Sequence, residues 1–385
     1  MTTTSVKVPF VDLNYIHQPL QAEFKAAIEK VIDRGDFILG QPVSEFEQAF
    51  AQASNVEYGV GVGSGTDAIA LGLQACGITS GDEVILPVNT FIATLIGVLS
   101  TGATPVFVDC DPNTALIDLE AASKAVTAKT KAIVPVHLYG QMVSPHQLLD
   151  FASTYNLLIF EDAAQAHLAQ REGYIAGSIG IAAAYSFYPS KNLGAFGDGG
   201  MLLTKDENIA KKVRSLRNYG APRKYYHTEL GTNSRLDSLQ AAILNIKLPY
   251  LSQWNTLRNQ AAQQYDRYLQ KLTSQGITLI ENHSSTGHIY HLYVIRIHNY
   301  CSLTQAQIID QLATKGIQTG IHYPIPCHLQ PAYTYLGYQA GDFPQAETLA
   351  QEIVSLPMYP GLSAKQIQEV TTSLENLLTV PTIAQ

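Results

Sequence analysis

Charge is what this chain has least of. Asp, Glu, Lys and Arg make up 15% of its 385 residues, against roughly 25% in an average soluble domain. Basic residues number 24 and acidic ones 32, for a net charge of −8. No broad basic excess exists to neutralise phosphates, which excludes a general nucleic-acid binder. Cysteine is sparse too. Cys76, Cys110, Cys301 and Cys327 include no C-x-x-C pair, so neither a zinc knuckle nor a redox pair is indicated. Four scattered thiols fit a reducing cytoplasm. Long apolar runs are missing: Phe91–Leu99, the greasiest stretch, is interrupted by Thr94 and Gly97. It falls well short of the ~18–20 residues that span a bilayer. The N-terminal MTTTSVKVPFVDL has no apolar run after a basic start, so no secretory signal is expected. With 46% hydrophobic residues, disorder is excluded. The sparse charge points to surface hidden in an oligomer.

Across roughly the first 250 residues, short apolar runs alternate with helical patterns. Val84–Pro87, Pro105–Val108, Ala132–Val136 and Leu157–Phe160 are apolar throughout, as strands covered on both faces must be. Asp118–Ala128 and Ser144–Tyr155 between them read as amphipathic helices. This alternation predicts an α/β fold on a mostly parallel sheet. Near Leu248–Trp254 the pattern changes. A long polar helix over Asn255–Lys271, a half-exposed strand over Ile289–Arg296, a helix over Leu303–Lys315, a Pro-rich loop over Tyr323–Pro331 and a last helix from Ala364 follow. The expected division is a large domain over 1–250 and a smaller α+β domain over 251–385.

Three segments carry chemistry. Gly59–Thr66 (GVGVGSGT) is expected to follow a strand and open a helix, whose backbone N–H groups would suit a phosphate. It fits neither G-x-G-x-x-G nor a P-loop, which counts against a dehydrogenase. Taken alone, it also reads as a tight turn. Asp162 ends the buried run LLIFED, at the sheet edge where ligands gather; alone, it also reads as a capping acid. Lys191 lies in YSFYPSKNLGAFGDGG, after a strand expected over Ile181–Phe187. A solvated surface cation is the ordinary alternative. Together the three suit pyridoxal phosphate, which needs a lysine amine, a carboxylate on its ring nitrogen and donors for its phosphate. No metal is invoked. His322 and His328 lack a matching carboxylate pattern.

The chain resembles the sugar-nucleotide aminotransferases, the DegT-type branch of fold-type-I pyridoxal-phosphate enzymes. The resemblance rests on six ordered motifs: GSGTDAIALGL at 63–73, EDAAQAH at 161–167, SFYPSKNLGAFGDGG at 186–200, GTNSRLDSLQAAIL at 231–244, IHYPIPCHLQPAY at 321–333 and SLPMYPGLS at 355–363. It implies a mostly parallel, mixed seven-stranded sheet flanked by helices, with a smaller C-terminal domain. It also implies that Lys191 binds the cofactor as a Schiff base and moves the proton. Asp162 would pair with the ring nitrogen, and Gln165 with the ring hydroxyl. Gly65, Thr66 and Ser186 would hold the phosphate, with Phe91 stacked on the ring. Asn233 would reach the phosphate of a neighbouring subunit, giving a homodimer with shared active sites. Tyr188, Asn192, His322 and Tyr323 would face the sugar. Arg235 is either an anion partner for substrate or one half of a salt bridge to an acid such as Asp237. Two positions depart from the family pattern: Leu168 replaces a usual Gly, and Ile181 a common Asp.

The implied activity is amino transfer from L-glutamate, which leaves as 2-oxoglutarate, to a nucleotide-linked keto-sugar by way of pyridoxamine phosphate. Dehydratase relatives carry His where Lys191 stands, so transamination is favoured. The IHYPIPCHLQ loop resembles that of members acting at C3 of a dTDP-linked 3-keto-6-deoxyhexose. A UDP-linked 3-keto sugar and C4 amination are the alternatives. A non-catalytic regulatory or binding protein on the same fold stays open as another class. Finally, Lys211–Arg235 holds seven basic residues and one acid, Glu229. Its later part, with Arg223 and Lys224, is expected to steer an anionic sugar nucleotide.

Overall fold

The computed structural model describes residues 5–379. Its strands, in chain order, are β1 (Tyr58–Val62), β2 (Glu83–Pro87), β3 (Thr104–Val108), β4 (Thr130–Ile133), β5 (Leu158–Asp162), a short hairpin of β6 (Gln170–Arg171) and β7 (Tyr174–Ile175), β8 (Ala182–Ser186), β9 (Gly200–Thr204), β10 (Ile277–Leu279), β11 (Tyr293–Ile297) and β12 (Ile353–Leu356). Seven of them form one sheet in the order β1-β9-β8-β5-β4-β2-β3. Only β9 runs against its neighbours; the pairs β2–β3, β2–β4, β4–β5 and β5–β8 are parallel.

The uniformly apolar runs became strands because both faces are covered. Val84, Ile85 and Leu86 are all fully buried. The strand expected over Ala132–Val136 ends at Ile133, and beyond Pro135 only Val136 bridges to β5. The glycine-rich stretch does not follow a strand; its first half is the strand. A side chain at Gly59 would come within 2.5 Å of the Glu47 carbonyl oxygen. Glycine therefore lets the helix Gln41–Ala53 lie directly on β1. The same helix sends Phe46 and Phe50 into the core, where they meet Phe187 at 5.1 and 5.4 Å between ring centroids. Burying each such ring stabilises the fold by about 1.5–3 kcal/mol.

A second, antiparallel sheet has the order β10-β11-β12. It carries the helices Leu251–Leu269, Gln305–Thr314 and Ala364–Thr379. Strand β11 was expected to be half-exposed and to begin earlier. It is the central strand, and four of its five residues are buried. The start of the chain, expected with the large domain, packs on this smaller unit: Val8 bridges to Ile317 and belongs to the same apolar cluster. No helix among the described residues is long and apolar enough to cross a membrane.

The parallel strands point their C-terminal ends to one edge. Asp162 and Ser186 are the last residues of β5 and β8. Because β9 is reversed, its first residue, Gly200, meets Ser186 at that edge. Ligands gather at such an edge in open α/β sheets.

Candidate active site

A cavity of about 430 Å³ opens at this edge. Ten of the expected residues line it: Gly65, Thr66, Phe91, Asp162, Gln165, Ser186, Tyr188, Lys191, His322 and Tyr323. They come from five separate segments of chain, joined only by the fold.

Asp162 is 5% exposed. Its Oδ1 accepts from the Ala164 N–H at 3.1 Å, and its Oδ2 from the Thr94 hydroxyl at 2.7 Å. Burial raises its pKa, while these bonds and the Lys191 charge pull the other way. The preceding residue, Glu161, points to the opposite face, as strand alternation requires. It is fully buried and accepts from the N–H groups of Gly177, Ile179 and Gly180 and meets His137 Nε2 at 2.9 Å. Of this acidic pair, one carboxylate braces the chain and the other faces the cavity.

Lys191 sits on a turn closed by its N–H to the Tyr188 carbonyl at 2.8 Å. Burial brings its pKa down to about 8, with Asp162 opposing. An amine that is part neutral near pH 7–8 is the form that attacks a carbonyl. Across the cavity, Gln165 Oε1 accepts from the Tyr139 N–H at 2.7 Å. Its Nε2 donates to the Tyr323 hydroxyl at 2.9 Å. The Phe91 ring lies 5.4 Å from Tyr323, tilted by 37°. His322 Nδ1 bonds the Ser355 hydroxyl at 2.9 Å, and its ring stacks on Phe10.

The helix Gly65–Ala75 begins at the cavity wall, with Ser64 as its N-cap. As its first two residues, Gly65 and Thr66 have N–H groups with no intrahelical acceptor. A side chain at Gly65 would stand 2.7 Å from Ser186 Cβ, so this close approach requires glycine. Free donors, a helix N-terminus and the Ser186 hydroxyl suit a phosphate. Together with a buried carboxylate and a desolvated amine, this donor set fits pyridoxal phosphate.

Three expected residues lie elsewhere. Asn192 does not line the cavity; it is 3% exposed and bonded behind it to Asn255 and the Ile289 carbonyl. Arg235 pairs with no acid, Asp237 included, among the described residues. Its Nη1 donates to Asn218 Oδ1 at 3.1 Å and its guanidinium lies 5.6 Å from the Tyr219 ring centroid. Asn233 is exposed and bridges to Asn218, away from this chain's own cavity. The sequence reading also missed Thr90, Thr94 and His291. The first two form a hydroxyl chain to Asp162, with 2.7 Å between them. The available signal was a polar residue inside an otherwise apolar segment. Leu168, where the family has Gly, keeps a left-handed backbone with φ +63°, a region glycine enters more readily.

The basic stretch is largely spoken for. Arg217 pairs with buried Glu47, Lys212 with Glu229 and Lys211 with Glu207. Arg223 and Lys224 lie instead over the rings of Tyr226 and Tyr225.

The model of the DegT/DnrJ/EryC1/StrS aminotransferase family matches residues 18–375. The chain belongs to that family. This aminotransferase is 43% identical over 369 residues to the "pleiotropic regulatory protein" of Geobacillus stearothermophilus, covering 96% of this chain and 98% of the other. It is 42% identical over 364 residues to the dTDP-3-amino-3,4,6-trideoxy-alpha-D-glucose transaminase of Streptomyces venezuelae, covering 94% of both chains. Among solved structures, S. venezuelae DesV in complex with a ketimine intermediate matches with a TM-score of 0.93 at 41% identity, over 98% of this chain and 100% of DesV. NtdA from Bacillus subtilis, with bound pyridoxamine phosphate, matches at 0.90 and 32%, over 98% and 87%. The expected family and the seven-stranded fold are thereby established.

Proposed function

We propose that this aminotransferase moves the amino group of L-glutamate to C3 of a nucleotide-linked keto-hexose, with a dTDP-linked 3-keto-6-deoxyhexose as the favoured substrate. The observation that carries the reading is the buried Asp162 carboxylate facing the same cavity as the desolvated Lys191 amine. Pyridoxal phosphate, when bound, supplies an electron sink and carries the amino group as pyridoxamine phosphate. Gly65, Thr66 and Ser186 would hold its phosphate, and Gln165 its ring hydroxyl. Phe91 would lie on its face.

The residues then divide the work. Asp162 holds a proton on the ring nitrogen, and the Thr94 hydroxyl keeps the carboxylate turned towards it. Lys191 would hold the cofactor through its Nζ and would move a proton at that atom in each half-reaction. Tyr188, His322 and Tyr323 shape the sugar side. The active unit is a homodimer in which Asn233 reaches the neighbouring site. It works in the cytoplasm, with domains divided near residue 250.

Relatives at 41–42% identity support the C3 assignment. One is the transaminase of S. venezuelae, another the UDP-N-acetyl-3-dehydro-alpha-D-glucosamine 3-aminotransferase of Acidithiobacillus ferrooxidans. The second keeps UDP-linked sugars as the competing substrate. The regulatory name of the Geobacillus relative favours a binding role as a second reading; the retained Lys191 and Asp162 weigh against it. A panel of dTDP- and UDP-linked keto-sugars with glutamate, followed by NMR of the product, tests the proposal. Amination at C4 overturns the position, and no turnover of any member overturns the activity.

A further inference from the structure

A second lysine is buried outside the cavity. Lys247 ends the helix Ser238–Lys247 and is 0% exposed. Its Nζ donates to the Gly194 carbonyl at 2.5 Å, lies 3.0 Å from His17 Nε2 and stands 5.1 Å from the Phe196 ring centroid. His17 is kept neutral by its own burial and by the Lys247 charge, with a pKa of about 4. No carboxylate pairs with Lys247 among the described residues. Burying a cation without an anion is costly, and burial brings its pKa down to about 7. Methionine would fill nearly the same space without that cost, so packing alone does not account for a lysine here.

What it holds is the loop that carries Lys191. The Ala195 N–H donates to the Phe187 carbonyl at 2.8 Å and closes that loop at its base, with Lys191 midway between. A side chain at Gly194 would come within 2.3 Å of the Pro189 carbonyl oxygen, so the two arms of the loop touch there. A pull on the Gly194 carbonyl is therefore felt on both sides of Lys191. The helix makes a second contact with the same arm: Gln240, two turns before Lys247, accepts from the Phe196 N–H at 2.8 Å through Oε1. Residues seven apart share one face of a helix. The Phe196 ring is in turn met edge-on by His17 and Phe24, at 4.9 and 5.0 Å between centroids, so the start of the chain covers the contact.

We propose that Lys247 is a positioning residue for Lys191: by donating to the Gly194 carbonyl, its Nζ fixes the loop Phe187–Ala195 and so the direction from which the Lys191 side chain enters the cavity. The inference rests on the reading of Lys191 given above. Charged or neutral, the Lys247 amine keeps hydrogens to donate, and the carbonyl can only accept. The hold therefore does not depend on the charge. Lys247 touches neither the cavity nor its contents, and it acts through the backbone of the loop alone.

Lys247→Met keeps most of the side chain and removes the donor. In the apoprotein, amide hydrogen exchange over residues 187–197 should quicken at least tenfold, while β2 and β5 stay within about twofold of wild type. In the holoenzyme, kcat should fall at least tenfold, with the sugar-nucleotide KM within about twofold. Both changes are required. Exchange that quickens throughout the chain marks a merely structural lysine and overturns the proposal, as does a kcat that is unchanged or a loss confined to KM. Should that variant fail to fold, Lys247→Gln, whose amide ends one bond short of the Gly194 carbonyl, takes its place with the same expectations. If wild type aminates no keto-sugar, the proposed function falls, and two readouts still decide this inference: the exchange rates, and the rate at which the visible cofactor band forms on adding pyridoxal phosphate to apoprotein. That rate should be at least fivefold lower in the variant, and an equal rate overturns the positioning role.

Discussion

Thr94 donates its hydroxyl hydrogen to Asp162 Oδ2 at 2.7 Å, across 68 positions of sequence. A buried carboxylate that must stay charged depends on such donors. Hydrogen bonds to charged groups are worth about 1.5–3 kcal/mol net. Thr94→Val should therefore raise the Asp162 pKa further and lower kcat/KM by at least about tenfold. The acid limb of the rate should move to higher pH. Steady-state rates across pH 5–9 check this, and an unmoved acid limb would separate Thr94 from the carboxylate.

Gly65 sits where the helix N-terminus passes Ser186. Gly65→Ala places a Cβ 2.7 Å from the Ser186 Cβ, too close for two carbons, and the proposed phosphate site must open to admit it. Cofactor affinity should fall by at least about tenfold, since over-packing typically costs ~1–3 kcal/mol. Dialysis with the visible cofactor band as readout measures it. Full retention of the band would place the phosphate elsewhere.

The sequence made the strands legible where burial on both faces forced an apolar run, as at Val84–Leu86. It hid β1, because Gly59 and Gly61 serve close packing on the strand, against the helix at Glu47 and against Leu236, rather than a turn. Site residues were legible where they lie in contiguous motifs, such as Asp162 with Gln165, or Ser186 with Lys191. Thr94 and His291 were not, because their partners come from distant segments. A polar residue in the apolar Phe91–Leu99 run, and a histidine in IYHLYVIR, were the traces they left. Asn192 shows the converse: adjacency to Lys191 in sequence did not put its side chain in the cavity, since Asn255 and Ile289 hold it outside.

Three buried histidines predict acid lability. Burial drives the His167 and His288 pKa values down to about 3 and His291 well below normal. Unfolded, each titrates near 6.5. At pH 5 the unfolded chain therefore binds about three more protons than the folded one, and stability rises with pH there. It is fully present above about pH 6.5 and is lost as pH falls, by up to about 4 kcal/mol per unit near pH 5. Guanidinium midpoints of the apoprotein at pH 7, 6 and 5 should fall in that order. A flat series would mean the rings are accessible.

Arg223 and Lys224 remain over exposed tyrosine rings, without an ion-pair partner among the described residues. Charges so placed attract an anion through solvent, and salt screens them with a Debye length of about 10 Å at 0.1 M. Replacing both by Ala should raise the sugar-nucleotide KM several-fold at low salt and leave it nearly unchanged at high salt. An equal effect at both salts would point to a direct contact, and no effect to a loop with no part in substrate capture.

Asn233 carries the proposed sharing of sites. It is exposed on its own chain and absent from its own cavity, so its loss can matter only at a neighbour's. Asn233→Ala and Lys191→Ala should each be nearly inactive. Mixed and reassembled, they form hybrid dimers. One site of each hybrid then carries both substitutions and the other carries neither. With random pairing, about a quarter of wild-type activity should return, as two-fold symmetry requires. No recovery, despite hybrids seen by native mass spectrometry, would confine each site to one chain. An active Asn233→Ala homodimer would remove Asn233 from the site altogether.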